Sequence, residues 1–182
     1  MREENDKTMK NSIKLVSLNE CVNKKLYEMY QNIPEEEVGS INKLYGVSYK
    51  EFESICKNMI NEETIINEEI HTTTKRFILF VNFIPVGGVG IRTTLNDFWV
   101  NKGSQIYYKI RKSERGKGYG NLILRLALSE AKKLNFSRIR INCNNDNIPS
   151  KKVIINNGCI VDIPDYQTKE GVSSSYIIEI DK

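Results

Sequence analysis

The sequence predicts a single α/β domain over residues 1–182, in which a mixed sheet of about seven strands is flanked by about four helices. Along the chain, segments in which every second residue is apolar alternate with segments in which apolar residues recur every three or four positions, as in a helix. Residues 76–94 contain two strand-like runs around a short turn, which predicts an antiparallel hairpin. Residues 105–143 contain a strand, a helix and a strand in that order, which predicts a parallel pair with a right-handed crossover. At 182 residues the chain is long enough for one well-buried core and short for two.

The first third of the chain is expected to hold a polar tail, a strand and two helices. Residues 1–12 form the tail, and residues 13–18 alternate as a strand. Asn19 is placed to cap the first helix, and Pro34 ends it because proline has no backbone N–H to donate. Ser48 is placed to cap the second helix, in which apolar residues recur every three or four positions and mark one buried face.

The rest of the chain is expected to hold six strands and two helices. Gly87, Gly88 and Gly90 weaken the second of these strands and leave room for a ligand or a neighbouring backbone. Gly158 is placed to end the last helix. One helix follows the glycines near residue 120 and the other covers 147–157; the strands are expected at 76–82, 85–94, 105–110, 138–143, 160–163 and 175–180.

The hydrophobicity pattern and the histidine and cysteine content argue against a membrane, secreted or metal-binding protein. No apolar run approaches the roughly 18 residues that a membrane span needs, and the polar N-terminus shows no signal-peptide pattern, so we expect a cytoplasmic protein without a membrane partner. His71 is the only histidine and is expected to be a surface or edge residue. The cysteines show no Cys-x-x-Cys spacing, so we expect reduced, buried thiols and no metal site. They are Cys21, Cys56, Cys143 and Cys159.

The net charge of +4 hides a basic segment. Residues 102–152 hold 13 Lys and Arg against 3 Asp and Glu, a net +10, whereas the remainder holds 14 against 20, a net −6. Such a segment suits a compact anionic cofactor as well as nucleic acid or a membrane surface. Because no RNA-recognition or helix-turn-helix signature accompanies it, we expect no nucleic-acid partner, and nucleic-acid binding stays the alternative.

The run SERGKGYG, residues 113–120, lies within this basic segment between a strand and a helix. Glycines at such a turn expose successive amide N–H groups, and the helix N-terminus adds partial positive charge, which suits a diphosphate. A Walker loop would need Ser or Thr where Tyr119 stands, and a Rossmann loop would need a different glycine spacing early in the chain. The other interpretation is a plain tight turn whose glycines only allow positive φ.

The longer run IRKSERGKGYGNLILRLALSEAKKL resembles the acetyl-CoA loop of the GNAT superfamily of N-acetyltransferases, with the signature Gln/Arg-x-x-Gly-x-Gly/Ala. Downstream, NDNIPSKKVIINNGC resembles the next motif of that superfamily, although Cys159 replaces the usual aromatic residue. The order of elements from residue 13 onward also agrees, so the resemblance covers most of the chain. The matching residues are Arg115, Gly118, Gly120, Asn147, Ser150 and Gly158.

The resemblance implies a metal-free N-acetyltransferase with an acetyl-CoA site at a splay between two parallel strands. It implies that backbone groups of Ile110 and Lys112 pair with the pantetheine arm, as an added strand would. It further implies that Asn147 hydrogen-bonds the pantetheine and that Ser150 starts the helix beside it. Lys151 and Lys152 either reach the adenosine phosphates or are solvated. The diphosphate would be surrounded by the amides of Arg115, Gly116, Lys117, Gly118, Tyr119 and Gly120.

The resemblance leaves the proton-transfer residues unknown. Many members carry a tyrosine where this chain has Ile154, and some carry a glutamate where it has Ser104 and Gln105. Tyr107, Tyr108 or a water chain are the candidate substitutes; the alternative is that both tyrosines are core residues. The thioester carbonyl is expected to be polarised by a strand N–H rather than by a side chain.

The acceptor is expected to be a primary amine of a small molecule, a peptide or a protein, attacked directly in a ternary complex. Glu35, Glu36 and Glu37 would suit a cationic amine or are simply solvated. Phe98 and Trp99 either wall the acceptor cleft or cover the sheet edge. The alternative function is an acyl-CoA-binding sensor without catalysis, and both a monomer and a homodimer remain open.

Overall fold

The computed structural model describes residues 12–38, 40–66, 72–94, 96–98, 103–169 and 171–180. His71, Trp99 and nearly all of the predicted tail lie outside these residues. The α-helices are α1 (Lys24–Gln31), α2 (Tyr49–Asn61), α3 (Tyr119–Lys133) and α4 (Ile148–Asn156). The strands are β1 (Ile13–Ser17), β2 (Glu36–Glu37), β3 (Ser40–Ile41), β4 (Thr74–Val81), β5 (Ile84–Arg92), β6 (Ile106–Ile110), β7 (Arg138–Asn144), β8 (Ile160–Thr168) and β9 (Gly171–Glu179). The described residues thus confirm the predicted α/β class, and β2 and β3 add a short pair.

The main strands form two antiparallel sheets that meet at β6 and β7. The first has the order β1-β4-β5-β6 and the second the order β7-β9-β8. No ladder joins β6 to β7; they are linked where the Gln105 N–H donates to the Arg140 carbonyl at 2.8 Å, and the Arg140 N–H donates to Gln105 Oε1 at 2.7 Å. The two strands therefore leave a gap between them, which is the splay that the resemblance implies.

Helices cover both faces of the first sheet. Ile78 and Leu79 are neighbours on β4 and fully buried, yet they belong to different core clusters. Successive side chains of a strand point to opposite faces, so one residue packs under α1 and α2 and the other toward α3.

Of the two helix caps predicted for the first third of the chain, the structure confirms one and corrects the other. Ser48 caps α2 as predicted, and Glu51 completes a capping box by accepting from the Ser48 N–H. The prediction for α1 was wrong: Asn19 lies in a 3₁₀ turn, and Asn23 caps the helix by accepting from the Leu26 N–H at 3.1 Å. The extra turn delays α1 by four residues.

The last hairpin is longer than the sequence indicates. Strands were expected at 160–163 and 175–180, whereas β8 and β9 each span nine residues. The register of β8 shifts twice along β9, at irregularities that interrupt the alternation on which the prediction rested. Its turn, near Thr168 and Lys169, reaches the same gap between β6 and β7.

Candidate functional site

The gap between the two sheets opens into a first cleft of about 750 Å³. The end of β6, the glycine turn, the start of α4 and the β2–β3 pair surround it. Eight of the ten residues predicted to bind the cofactor line this cleft: Ile110, Arg115, Gly116, Gly118, Tyr119, Gly120, Asn147 and Ser150.

The other two predicted residues have different partners. The Lys112 N–H donates to the Asn32 carbonyl at 3.1 Å, so that amide is already used at the end of α1. The Lys117 ammonium pairs with Glu114 at 2.9 Å on the exposed side of the turn. Neither residue lines the cleft, and we therefore leave the Lys112 backbone out of the site.

In the part of the chain that the structure describes, the edge of β6 that faces the cleft has no partner strand in the sheet. The Arg92 N–H donates to the Gln105 carbonyl and the Arg111 N–H to the Val86 carbonyl, each at 2.9 Å. Antiparallel pairing turns alternate residues toward the partner strand, so odd-numbered β6 residues face β5. The backbone groups of Tyr108 and Ile110 consequently point into the gap.

The glycine turn places a helix N-terminus at the cleft. Gly116 and Gly118 have φ of 76° and 81°, which favours glycine at both positions. A Cβ on either residue would meet no atom within 4 Å, so the space over the turn is open. Since α3 starts at Tyr119, its first-turn N–H groups have no acceptor within their own helix. An open, amide-lined turn of this kind can hold a diphosphate.

Gly120 serves a different purpose from its two neighbours. A Cβ at this position would lie 2.9 Å from Cγ2 of Val153 on α4. The residue therefore allows α3 and α4 to approach closely. In the sequence it is indistinguishable from the other glycines of the turn.

Arg115 links the glycine turn to both neighbouring elements. Its Nε donates to the Ile110 carbonyl at 3.0 Å, and its Nη1 and Nη2 donate to Glu37 Oε1 and Oε2 at 2.6 and 2.8 Å. Two further contacts join the β2–β3 pair to the cleft: Asn147 Nδ2 donates to the Val38 carbonyl at 3.2 Å, and Lys109 donates to the Ile41 carbonyl. The short pair thus bridges the mouth of the cleft.

The predicted downstream motif caps α4. Asn147 Oδ1 accepts from the Ser150 N–H at 3.2 Å, which fixes the first turn of the helix. Ser150 Oγ lies 3.0 Å from the Tyr108 hydroxyl. Burial raises the pKa of Tyr108 to about 12, so this hydroxyl keeps its proton at neutral pH. Ile154, where many superfamily members have tyrosine, is fully buried in the core.

A second cleft of about 410 Å³ adjoins the first. Tyr108 and Ser150 line both clefts, whereas Tyr107 lines only the second. The Tyr107 ring lies against Gly90, where a Cβ would come within 2.2 Å of it, and the Arg92 guanidinium sits 4.9 Å from the ring centroid. The five residues shared by the two clefts are Val38, Ser40, Tyr108, Asn147 and Ser150.

The three consecutive glutamates do not form an acidic wall at either cleft, so the solvated-loop interpretation fits Glu35 and Glu36. Glu37 is the only one of the three consecutive glutamates that lines a cleft, and it pairs with Arg115. Glu35 and Glu36 are exposed and line neither cleft. The second cleft instead contains Arg92 and Lys169, which sequence patterns did not single out because they come from separate strands and a turn.

The family follows from comparison with known domains. The model of the acetyltransferase (GNAT) domain matches residues 48–160, which is more than half of the chain and includes the glycine turn, β7 and α4. This chain is a GNAT acetyltransferase. The match extends over both motifs that carry the resemblance in the sequence.

Solved structures show that the GNAT fold extends over almost the whole chain. The ribosomal L7/L12 alpha-N-protein acetyltransferase RimL, in complex with CoA, aligns with a TM-score of 0.65 at 17% identity and covers 93% of this chain and 95% of its own. Microcin C7 self-immunity acetyltransferase MccE, in complex with acetyl-CoA and AMP, gives 0.66 at 15% identity, with 92% of each chain covered. An acetyltransferase of the L7/L12 N-terminal serine from Salmonella typhimurium gives 0.60 at 17% identity, with 94% and 95% covered. None of the curated protein sequences matches this GNAT chain.

Burial makes the cysteine thiols of this GNAT domain less reactive. All four cysteines are free and buried, as predicted. Cys143 is the one that lines the second cleft, and burial raises the pKa of its thiol. No three metal-ligating side chains cluster within the described ranges. In the same part of the chain, no helix has the length and apolar character needed to cross a membrane.

Proposed function

We propose that this GNAT domain is an acetyl-CoA-dependent N-acetyltransferase that transfers the acetyl group directly to a primary amine. The observation that carries the proposal is the meeting of two clefts at Tyr108 and Ser150, on the open edge of β6. The first cleft offers an anion site, which suits a diphosphate, and a strand edge without a partner strand, which suits the pantetheine arm. The second cleft gives a separate approach to the same point, as an amine requires.

Cofactor binding uses groups that are already in place. The first-turn amides of α3 and the Arg115 guanidinium receive the diphosphate, over the space that Gly116 and Gly118 leave open. Tyr108 offers its backbone groups to the pantetheine amides, and Asn147 lines the same cleft at the start of α4. Solved neighbours of this fold contain CoA or acetyl-CoA, which supports the same cofactor here.

The chemistry requires a polarised carbonyl and a proton for the leaving thiolate. The Ile110 N–H on the open edge is the donor that we assign to the thioester oxygen. As the amine nitrogen attacks the carbonyl carbon and the C–S bond breaks, the Tyr108–Ser150 hydroxyl pair gives a proton to the sulfur. The amine releases its own proton to water in the second cleft, and the hydroxyl pair regains its proton from that water.

Direct transfer agrees with the state of the nearest cysteine. An acetyl-cysteine intermediate needs a thiolate at the junction of the clefts. Cys143 is only 5% exposed, and its raised pKa keeps it protonated. A ternary complex therefore needs fewer changes in the protein than a covalent route does.

A sensor that binds acyl-CoA without catalysis remains the second candidate, because positions that carry catalytic groups in other members have structural roles here. Ile154 is a core residue, and the Gln105 side chain accepts from the Arg140 N–H. The Ser104 hydroxyl accepts from the Asn142 N–H at 3.2 Å.

The deciding experiment measures CoA release from acetyl-CoA in the presence and absence of a panel of primary amines, with mass spectrometry of the amines. We expect amine-dependent release and acetylated products, and slower release for Ser150→Ala and Tyr108→Phe. Tight acetyl-CoA binding without any acetylated amine would favour the sensor and contradict the transferase.

A further inference from the structure

Lys109 is a half-buried lysine in the wall of the first cleft. It lies on β6 between Tyr108, which lines both clefts, and the glycine turn that follows the strand. A pantetheine arm that joins a diphosphate at the turn to a thioester at Tyr108 therefore passes this residue. Neither cofactor binding nor proton transfer, as proposed, uses the Lys109 amine.

The Lys109 amine is held by a neutral partner. Its Nζ donates to the Ile41 carbonyl on β3, across the mouth of the cleft. Glu37 lines the same cleft, but both of its carboxylate oxygens accept from Arg115. Of the ion pairs in the described residues, none includes Lys109. The amine can therefore leave the Ile41 carbonyl without breaking an ion pair.

The environment of Lys109 favours the neutral amine. Burial lowers the pKa of Lys109 to about 8, and the opposing effect of Glu37 is smaller. A fraction of the protein therefore carries an unprotonated amine at neutral pH. Only this form can attack a carbonyl carbon, and the flexible stem of lysine lets the nitrogen turn from Ile41 toward the arm.

Position distinguishes Lys109 from the other lysine of the first cleft. Within the described part of the chain, Lys109 and Lys152 are the lysines that line it. Lys152 is exposed on α4, whereas Lys109 is half-buried on the strand that the arm would follow. Lys109 is therefore the amine that bound acetyl-CoA would meet along β6.

We propose that Lys109 is a self-acetylation site, at which acetyl-CoA bound in the first cleft acetylates the side-chain amine when the second cleft holds no acceptor. The inference rests on the proposed function, because it needs acetyl-CoA in that cleft. The neutral Nζ attacks the thioester carbonyl carbon, so that a C–N bond forms and the C–S bond breaks. One N–H proton passes through water to the sulfur, and the products are N-acetyl-lysine and the CoA thiol.

The modification would act back on cofactor binding. Acetylation removes the positive charge of Lys109 from a cleft that receives a diphosphate, and the added acetyl group takes up space beside the arm. We expect the acetylated protein to bind acetyl-CoA about three- to tenfold more weakly than the unmodified protein, as measured by calorimetry. Equal affinities would overturn the placement of Lys109 beside the arm.

The test incubates the purified protein with acetyl-CoA that is isotopically labelled in its acetyl group, without any amine, and measures the label at each lysine by peptide mass spectrometry. Lys112 and Lys57 serve as internal controls, because both are exposed and line neither cleft. We expect label to accumulate at Lys109 at least about tenfold faster than at either control, since a bound thioester reacts intramolecularly. Label that follows exposure, or no label at Lys109, would overturn the proposal.

A pair of glycine variants separates bound acetyl-CoA from acetyl-CoA in solution as the acetyl source. Gly118→Ala, at the turn, should weaken cofactor binding, whereas Gly46→Ala changes a positive-φ glycine that lines neither cleft. With acetyl-CoA below saturation, Gly118→Ala should slow the labelling of Lys109 at least about fivefold, and Gly46→Ala should leave it unchanged. Equal rates in the two variants, or a rate constant that rises with protein concentration, would overturn the proposal, because the acetyl group would then come from solution or from another copy.

Amine assays on the same protein keep this inference distinguishable from the proposed function. If the protein binds acetyl-CoA and acetylates amines of the panel while Lys109 stays unlabelled, only the inference fails. If it labels Lys109 and acetylates no amine, the inference holds and the transfer to a separate amine fails. If the wild type does not bind acetyl-CoA, both fail together.

Discussion

Glu37 holds Arg115 through two parallel hydrogen bonds of 2.6 and 2.8 Å, across a separation of 78 residues in the chain. This ion pair joins the short β2–β3 pair to the turn that we assign to the diphosphate. Because the carboxylate occupies the guanidinium edge, an incoming diphosphate competes with Glu37 for the same donors. We therefore expect the pair to lower cofactor affinity while it keeps Arg115 at the cleft.

Removing the carboxylate should strengthen cofactor binding. The Glu37→Gln variant frees Arg115 from an ion pair whose side chains are about one third exposed, so we expect acetyl-CoA to bind about three- to fivefold more tightly. Isothermal titration calorimetry measures this directly. Glu36→Gln, an exposed neighbour on the same strand, serves as the control and should leave the affinity unchanged. Weaker binding by Glu37→Gln would mean that Glu37 orients Arg115 for the cofactor.

Tyr108 should affect turnover rather than cofactor binding. The Tyr108→Phe variant removes one hydroxyl of the donor pair, and we expect kcat to fall roughly 10- to 100-fold with acetyl-CoA affinity unchanged. Tyr107→Phe, whose hydroxyl belongs to the neighbouring residue of β6, should retain kcat within about twofold. An equal loss in both variants would indicate a packing role for the tyrosines.

The pH profile of the wild type tests the same assignment. Since burial raises the pKa of Tyr108 to about 12, the donor stays protonated over the working range. We expect kcat/KM to rise with pH as the free amine loses its proton, without a descending limb below about pH 10. A bell-shaped profile with a fall near pH 8 would assign the proton to another group.

The parts of this site that are contiguous in the chain were predictable from the sequence. The glycine turn and the Asn147–Ser150 cap depend on local backbone geometry, and a few consecutive residues determine each of them. Local signals also misled where two similar residues competed: Asn19 and Asn23 both suit a cap, and only the 3₁₀ turn decides between them.

Contacts between segments that are distant in the chain could not be predicted from sequence patterns. The partner of Arg115 and the partner of the Lys112 amide are set by how β2 and the end of α1 pack against the turn. Arg92 and Lys169 meet only because β5 and the β8–β9 turn reach the same gap. The presence of these two cations at the second cleft follows from this packing.

Lys109 should make stability depend on pH. Burial lowers the pKa of Lys109 to about 8, so between pH 8 and its ordinary pKa the unfolded chain binds more protons than the folded one. The free energy of unfolding of the wild type should therefore rise over this range. Relative to Lys109→Met, we expect a rise of about 1 to 2 kcal/mol between pH 7 and pH 10, measured by urea denaturation. Parallel curves for the two proteins would contradict the burial of a charged amine.

Gly120 should matter for helix packing. The Gly120→Ala variant places a Cβ 2.9 Å from Val153 Cγ2, and we expect it to lose about 1 to 3 kcal/mol of stability. Adding Val153→Ala removes the obstructing methyl groups, so the double variant should be more stable than the sum of the two single changes predicts. A double-mutant cycle of thermal or urea unfolding checks this. Additive losses would show that α3 and α4 do not compete for that space.

The most direct test of the account is calorimetric titration of acetyl-CoA into wild type, Gly118→Ala and Gly46→Ala, with ATP as the comparison ligand. Both glycines have positive φ, 81° and 73°, and neither Cβ would meet an atom within 4 Å, so the two substitutions carry similar backbone strain. Only Gly118 lines the first cleft. We predict about micromolar binding of acetyl-CoA to wild type and Gly46→Ala, weaker binding of ATP, and at least about tenfold loss in Gly118→Ala. Unchanged affinity in Gly118→Ala, or equal binding of ATP, would contradict the assignment of the glycine turn to the CoA diphosphate.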